Sequence, residues 1–452
     1  MITASIMNSA CAPTVCAEKL RAYRGGTRCR PRLLSFVFLV CSFLTAGCTT
    51  FDFSPSDKSS QPPAQDPAYD ALNPYWVEVC AMSRLKPVDG KKGGSGGHVA
   101  FYLQGVCRQK DSAYPAIGMC PGYPEEAAHL GEEDSGVGIS VDKMFKSVNW
   151  VAVSGRSFFF NGGLKPEEEA DQRRKQEVME RALQTGIFRG VSLNERFGKD
   201  KKPGQSDEAF LADKAIGTDY ALDFGRAMLC VKIPVTRAMT EKMAVYLNAL
   251  NAAYRAENRE YDWNLWSDNC AHTVHNTLAA AGIGSHKKTG FFIKPPFVNL
   301  AVPATEFAEL AFLSGEASIE DYRRIEDDDR LRQLLENEKW LPMRHGVLLR
   351  QTQIRPNRQL FDRNTEVLVT EMPLSRGKTR KIKRMLREPR FTDLKSNLEY
   401  FQDLYARLLA KIREERASGK VKDPPSGFRQ RYEDYVRASF DDVGDQLKRL
   451  AH

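Results

Sequence analysis

Apolar positions along this chain change period several times, and each change predicts an element. An uncharged apolar run at residues 33–44 stands alone near the start. Further on, Val99-Ala100-Phe101-Tyr102-Leu103 and residues 150–153 and 227–233 are short runs rich in β-branched and aromatic side chains. Bounded by Gly, Pro or polar clusters, they predict strands. Residues 166–185 open with Pro and three Glu, a favourable helix start, and predict a highly charged helix. Residues 236–258 predict a second helix, with Met239, Met243, Tyr246, Leu247 and Leu250 at helical spacing on its core face. Beyond residue 303 the pattern is mainly helical, at 304–313, 319–335 and 391–415, with short strands at 347–349 and 367–369. The expected fold class is α+β, with a largely helical C-terminal region at 303–452.

The isolated run at 33–44 is too short to span a bilayer, and five arginines from Arg21 to Arg32 precede it. This is the grammar of an export signal. The sequence then reads Thr45-Ala46-Gly47-Cys48, which resembles the lipobox of bacterial lipoproteins. The resemblance implies cleavage after residue 47 and acylation of Cys48 by fatty chains such as palmitate. With Thr49 after the cysteine, it also implies a place in the bacterial cell envelope, anchored in the outer membrane and facing the periplasm. Residues 48–74, rich in Ser, Pro, Asp and Gln, are expected to form a flexible tether. The folded part is expected to divide into a core at 75–302, with an inserted segment near 161–206, and the helical region at 303–452.

Loss of residues 1–47 changes the charge. The whole chain is formally +8, but this segment holds six Arg/Lys and one Glu, so the remainder is only +3. That gives no case for nucleic-acid binding, and no nucleic-acid partner is expected. The run at 376–390, with eight Arg/Lys against one Glu, could meet anionic head groups or wall polymers, although a solvated helix face accounts for it as well.

Of the ten cysteines, five lie beyond Cys48: Cys80, Cys107, Cys120, Cys230 and Cys270. An odd set in an oxidising compartment suggests up to two disulfides and one free thiol, with three pairings open among the first four. Cys270 is the natural one to stay free. It opens a helical stretch in Trp266-Ser267-Asp268-Asn269-Cys270-Ala271-His272-Thr273-Val274, with Ser267 or Asp268 available as cap and Gly282 as the left-handed stop. In a first turn, free N–H groups and the helix dipole favour thiolate over thiol. On the helical wheel Val274, Thr277, Leu278 and Ala281 share the side of Cys270, whereas His272 and His275 point away. A base for the sulfur must therefore come from elsewhere. Among the seven histidines, His98 follows Gly93-Gly94-Ser95-Gly96-Gly97 and opens a predicted strand, a rigid mount for a general base.

A Gly-His strand followed much later by an Asn-Cys-Ala-His helix is similar to the circularly permuted NlpC-like, papain-type thiol hydrolases and acyltransferases. The resemblance covers residues 97–282. It implies a permuted papain-like core, an antiparallel sheet packed on the cysteine-bearing helix, in which Cys270 attacks an acyl carbon and His98 moves the proton. A polar residue on the strand after the histidine would orient it, and Asp111 is the residue expected in that role. Asp268 and Asn269 are expected to be structural or capping groups. His272 and His275 lack visible third and fourth ligands, no Cys-x-x-Cys spacing occurs, and the glycine run lacks the Lys-Ser/Thr of a phosphate loop, so neither metal nor cofactor is expected. The expected activity is hydrolysis or transfer at an amide or acyl bond, of cell-wall peptides first, as by a cysteine peptidase or amidase. The alternatives are a lipid-directed acyltransferase or phospholipase, or a non-catalytic envelope scaffold on the same fold.

Overall fold

The structure is a computed structural model that describes residues 67–82, 97–125, 135–165, 167–224, 228–256, 259–264, 268–284, 291–293, 298–300, 303–315, 319–352, 360, 376–418 and 427–451. The expected signal segment, Cys48, the first glycines of the run at 93–97 and the strand at 367–369 lie outside these residues. Among the described residues no helix is long and apolar enough to cross a membrane.

A six-stranded antiparallel sheet carries the core. Its strands are β1 (Trp76–Met82), β2 (His98–Gln104), β5 (Gly136–Ser140), β6 (Val151–Ser154), β7 (Met228–Pro234) and β10 (Leu348–Gln351), in the order β10-β7-β1-β2-β5-β6. Strands β3 (Val106–Arg108) and β4 (Ile117–Met119) pair separately, as do β8 (Phe291–Ile293) and β9 (Val298–Leu300). Every residue of β1, β2, β5 and β7 is buried, so both faces of the sheet are covered. That is why β1, β2 and β7 read as nearly continuous apolar runs and not as alternations. Helix α1 (Pro67–Leu72) and helix α2 (Arg156–Asn161) flank the sheet, and a Cβ on Gly138 would come within 2.0 Å of Phe159 of α2. Only glycine there lets the helix lie directly on β5.

Helix α1 lies inside the stretch expected to be a tether. Tyr69 is fully buried and its hydroxyl donates to Gly346 O at 2.7 Å. Its ring and that of Trp76, set edge to face, both lie against the Lys232 ammonium, at 3.8 and 3.9 Å from their centroids, while Asp70 accepts from that ammonium at 2.8 Å. Beside it, the fully buried Glu78 pairs with Arg350 through one oxygen and with Arg156 at 3.1 Å through the other.

Helix boundaries follow capping aspartates more than the apolar period. The charged helix expected at 166–185 is α3 (Gln172–Gln184), beginning where Asp171 accepts from Arg174 N at 2.8 Å. After a 3-10 turn (Glu195–Asp200) come α4 (Asp207–Ala215), α5 (Arg237–Ala256), α6 (Cys270–Ala280) and α7 (Pro303–Gly315). The helix expected at 319–335 is two, α8 (Tyr322–Asp327) and α9 (Asp329–Glu338), because Asp328 turns extended and caps the second. The helix expected at 391–415 likewise breaks at Asp393, between α11 (Pro389–Thr392) and α12 (Leu394–Ser418), where the Asp393 carboxylate accepts from Ser396 N at 2.8 Å. In each case the side chain competes with the helix for its own backbone donors. The basic run forms α10 (Arg376–Met385).

The segment expected as an insertion packs on the core: Val178, Ala182, Ile187 and Phe188 are buried, and Arg108 donates to Thr185 O and Gly186 O at 2.8 and 2.7 Å. The C-terminal region also joins the sheet through β10. Its helical pair, α12 and α13 (Phe428–Ala451), is held there by buried His345, which contacts Asp442 at 2.8 Å and Tyr405 at 3.3 Å, and by Asn397, which accepts from Gly346 N at 2.7 Å.

Of the three pairings open in the sequence, the fold selects Cys80–Cys230 and Cys107–Cys120, leaving Cys270 free. Cys80 and Cys230 face each other across β1 and β7, and Cys107 and Gly118 are partners across the β3–β4 ladder. The first bridge spans 150 residues and the second 13. Chain-entropy arithmetic makes their contributions about 5 and about 3 kcal/mol. Urea unfolding of Cys80→Ala/Cys230→Ala and of Cys107→Ala/Cys120→Ala should therefore show the larger loss in the first double variant; equal midpoints would count against the loop-length account.

Candidate active site around Cys270

Cys270 is the first residue of α6. The cap is Asn269, extended in its backbone, whose side-chain Oδ1 accepts from Ala271 N at 2.9 Å and His272 N at 3.3 Å. Of the two caps the sequence offered, Ser267 lies outside the described residues, and Asp268 is occupied elsewhere. Its carboxylate accepts from the Tyr254 hydroxyl and from Asn149 Nδ2 at 3.1 Å, while Asn149 Oδ1 accepts from Thr273 at 2.8 Å. Asn264 N donates to Asp268 O at 2.8 Å and closes the loop that leads into the helix. These bonds fix where α6 starts. Gly282, at φ +86°, ends it, and Ile283 N returns to Leu278 O at 2.9 Å.

The wheel distinguished an inward face from an outward one, but α6 is covered on nearly every side, with only Asn276 and Ala280 half-buried. Cys270, His272, Thr273, Val274, His275, Thr277 and Leu278 are all buried, because β2, α5 and α7 pack around the helix. This depth decides the state of the thiol. Burial pushes Cys270 up to about 11, although the backbone N–H groups of Val99, Ala271 and Cys270 itself act in the opposite direction and nearby Asp142 adds to the rise. The thiolate expected from position in the first turn is therefore not the resting form. Desolvation outweighs the helix terminus here.

The contact with Val99 has a topological meaning. Its N–H reaches the Cys270 sulfur, so the mouth of α6 sits at the start of β2, next to the residue that follows His98. His98 is itself buried, with Nε2 3.0 Å from Ser140 Oγ. The Ser140 hydroxyl lies 2.7 Å from Asp219 Oδ1, a closer acceptor than Thr218 O at 3.3 Å. Asp219 is fully buried. Three residues far apart in sequence thus form one buried hydrogen-bonded row at the end of two interior strands.

Asp111 does not belong to this row. It is exposed in the connection between β3 and β4, in the small separate sheet. The strand after β2 in sequence peels away, and β2 lies in space between β1 and β5, whose last residue is Ser140. The Gly-Val-Gly-Ile-Ser alternation at 136–140 was the available signal for that strand, but nothing in it marks Ser140 as a partner of His98.

Tyr261 was also missed as a site residue. It is fully exposed to neither solvent nor a polar partner: the side chain is 0% accessible and its hydroxyl has no hydrogen-bond partner among the described residues. Burial, then the charges of Asp268 and Cys270, hold this hydroxyl well above the ordinary tyrosine range, which places it in the electrostatic neighbourhood of the sulfur. Its backbone donates to Lys146 O at 2.8 Å and its ring meets Tyr254 edge-on. The site thus combines a buried thiol at a helix mouth, a histidine with an oriented ring, and a buried hydroxyl. No family model, curated protein or solved structure matches this chain.

Proposed function

We propose that this protein is an envelope-anchored thiol hydrolase or acyltransferase with a permuted papain-like core, acting on an amide bond of cell-wall peptides through Cys270 and His98. The observation that carries the reading is the row His98–Ser140–Asp219 ending where Val99 meets the Cys270 sulfur. With Asp219 a carboxylate, Ser140 donates its only proton to it and accepts from His98 Nε2–H. Nδ1 is then the basic nitrogen. It takes the proton from Sγ as sulfur attacks the carbonyl carbon, and the carbonyl oxygen becomes an oxyanion held by the Cys270 backbone N–H and the Tyr261 hydroxyl. His98 passes the proton to the leaving amine as the C–N bond breaks. Water, deprotonated by the same nitrogen, then opens the thioester and frees the acid and the thiol. A thiol this buried favours proton transfer in step with attack over a standing thiolate–imidazolium pair.

One observation favours a rival. A thiol 6% exposed and pushed up to about 11 also suits a packed structural cysteine in a scaffold protein. Muropeptides and phospholipid vesicles, incubated separately with wild type and Cys270→Ser and followed by mass spectrometry, separate the readings. Amide cleavage of muropeptides by wild type alone is the expected result. Turnover of lipid alone moves the substrate to the acyl-lipid alternative, and identical behaviour of both proteins on both substrates leaves the scaffold.

A further inference from the structure

We infer that His275, Glu306 and Glu309 form a binding site for a divalent metal ion of the zinc or manganese kind, separate from the Cys270 chemistry. His275 lies on α6, five residues past Cys270, and the two glutamates are one turn apart on the facing helix α7. Positions i and i+3 project from one side of a helix, so both carboxylates turn toward the same imidazole. One ligand atom from each residue lies within 4.8 Å of the others. The sequence alone offered His275 no further ligands; packing of α7 on α6 supplies two.

Two features favour an ion over a plain hydrogen bond. His275 Nδ1 stands 3.2 Å from both Glu306 oxygens, whereas a single N–H is best aimed at one acceptor. Two donors 3.2 Å apart, each about 2.1 Å from a shared ion, subtend about 100°, within the range of zinc coordination. The second feature is charge. Glu306 is 7% exposed, and among the described residues His275 is its only side-chain partner. The buried Glu306 carboxylate faces a single imidazole, and the exposed second carboxylate beside it adds to the negative charge. A divalent cation neutralises the set, and the mixed nitrogen and oxygen donors suit zinc or manganese better than calcium or magnesium. Glu309, at the exposed rim, leaves room for water as a further ligand. The bound ion would fix the helix that carries Cys270 to α7, which in turn packs on β1 and β7.

The test is titration of the EDTA-stripped full chain with ZnCl2 and, separately, MnCl2 by calorimetry, with thermal unfolding alongside. The expected result is one equivalent bound by wild type, a melting point raised by several degrees at saturation, and affinity at least tenfold weaker in Glu309→Gln. Because Glu309 is exposed, that variant should melt with the metal-free wild type, so loss of binding would not reflect loss of fold. Cys270→Ser should bind as wild type does. No uptake by wild type, unchanged uptake by Glu309→Gln, or loss of uptake in Cys270→Ser would each overturn the proposal, the last by placing the ion at the thiol.

Discussion

Replacing His98 with alanine should slow acylation of Cys270 by a p-nitrophenyl ester by about 10²–10⁴-fold at pH 7, the range a positioned general base contributes. The magnitude follows from the state of the sulfur. With Cys270 pushed by burial up to about 11, about one molecule in ten thousand holds a thiolate at pH 7. Wild type escapes this through proton transfer to His98; the variant cannot. Its rate should therefore climb about tenfold per pH unit toward 11, whereas that of wild type should rise less steeply. Ser140→Ala should fall between them, since the ring keeps its nitrogen but loses the acceptor that orients it. Stopped-flow release of p-nitrophenol across pH 6–10 measures all three. If His98→Ala matches wild type in both rate and slope, the thiol has no base and the catalytic reading fails.

Glu78→Gln should cost about 3 kcal/mol of stability, because it leaves the half-buried Arg350 and Arg156 guanidiniums without their fully buried anion. The pH dependence makes this specific. Burial by itself would raise the Glu78 carboxyl, but Arg350 and then Arg156 more than offset it and hold it at about 2, against an ordinary 4.5. A carboxylate lowered on folding stabilises fully above its unfolded value, and that contribution is lost as pH falls from about 4.5 through about 2. At 1.36 kcal/mol per unit, the two and a half units amount to about 3 kcal/mol. Urea midpoints of wild type should fall steeply over that window, and those of Glu78→Gln should fall less. Parallel acid limbs would show that other carboxylates control acid unfolding.

Much of the fold was legible locally. β2, β6 and β7 were found from β-branched and aromatic runs, since strands buried on both faces carry an undisguised apolar signal. Helix α5 was found with its core face, Met239, Met243 and Leu247 all being buried. Where local reading failed, a short polar side chain had usually overruled the period: Asp171, Asp328 and Asp393 set helix ends that apolar spacing could not reveal. At the site, Cys270 and His98 carry backbone signatures in sequence, one at a helix mouth and one opening a strand after glycines. Ser140, Asp219 and Tyr261 carry none, because their place depends on which strands pair and which loops cover them.

The sequence by itself determined several of the strands and helices, the odd count of cysteines beyond Cys48, the place of Cys270 in the first turn of a helix, and the strand that presents His98. These rest on local forces: steric preference, capping and the period of apolar burial. Only the tertiary structure decided which cysteines pair, that β5 and not β3 lies beside β2, and that Ser140 replaces Asp111 as the histidine's partner. It also decided the protonation of the thiol. A helix terminus is a local property that favours thiolate, whereas desolvation depends on everything packed around the helix, and at Cys270 the surroundings prevail.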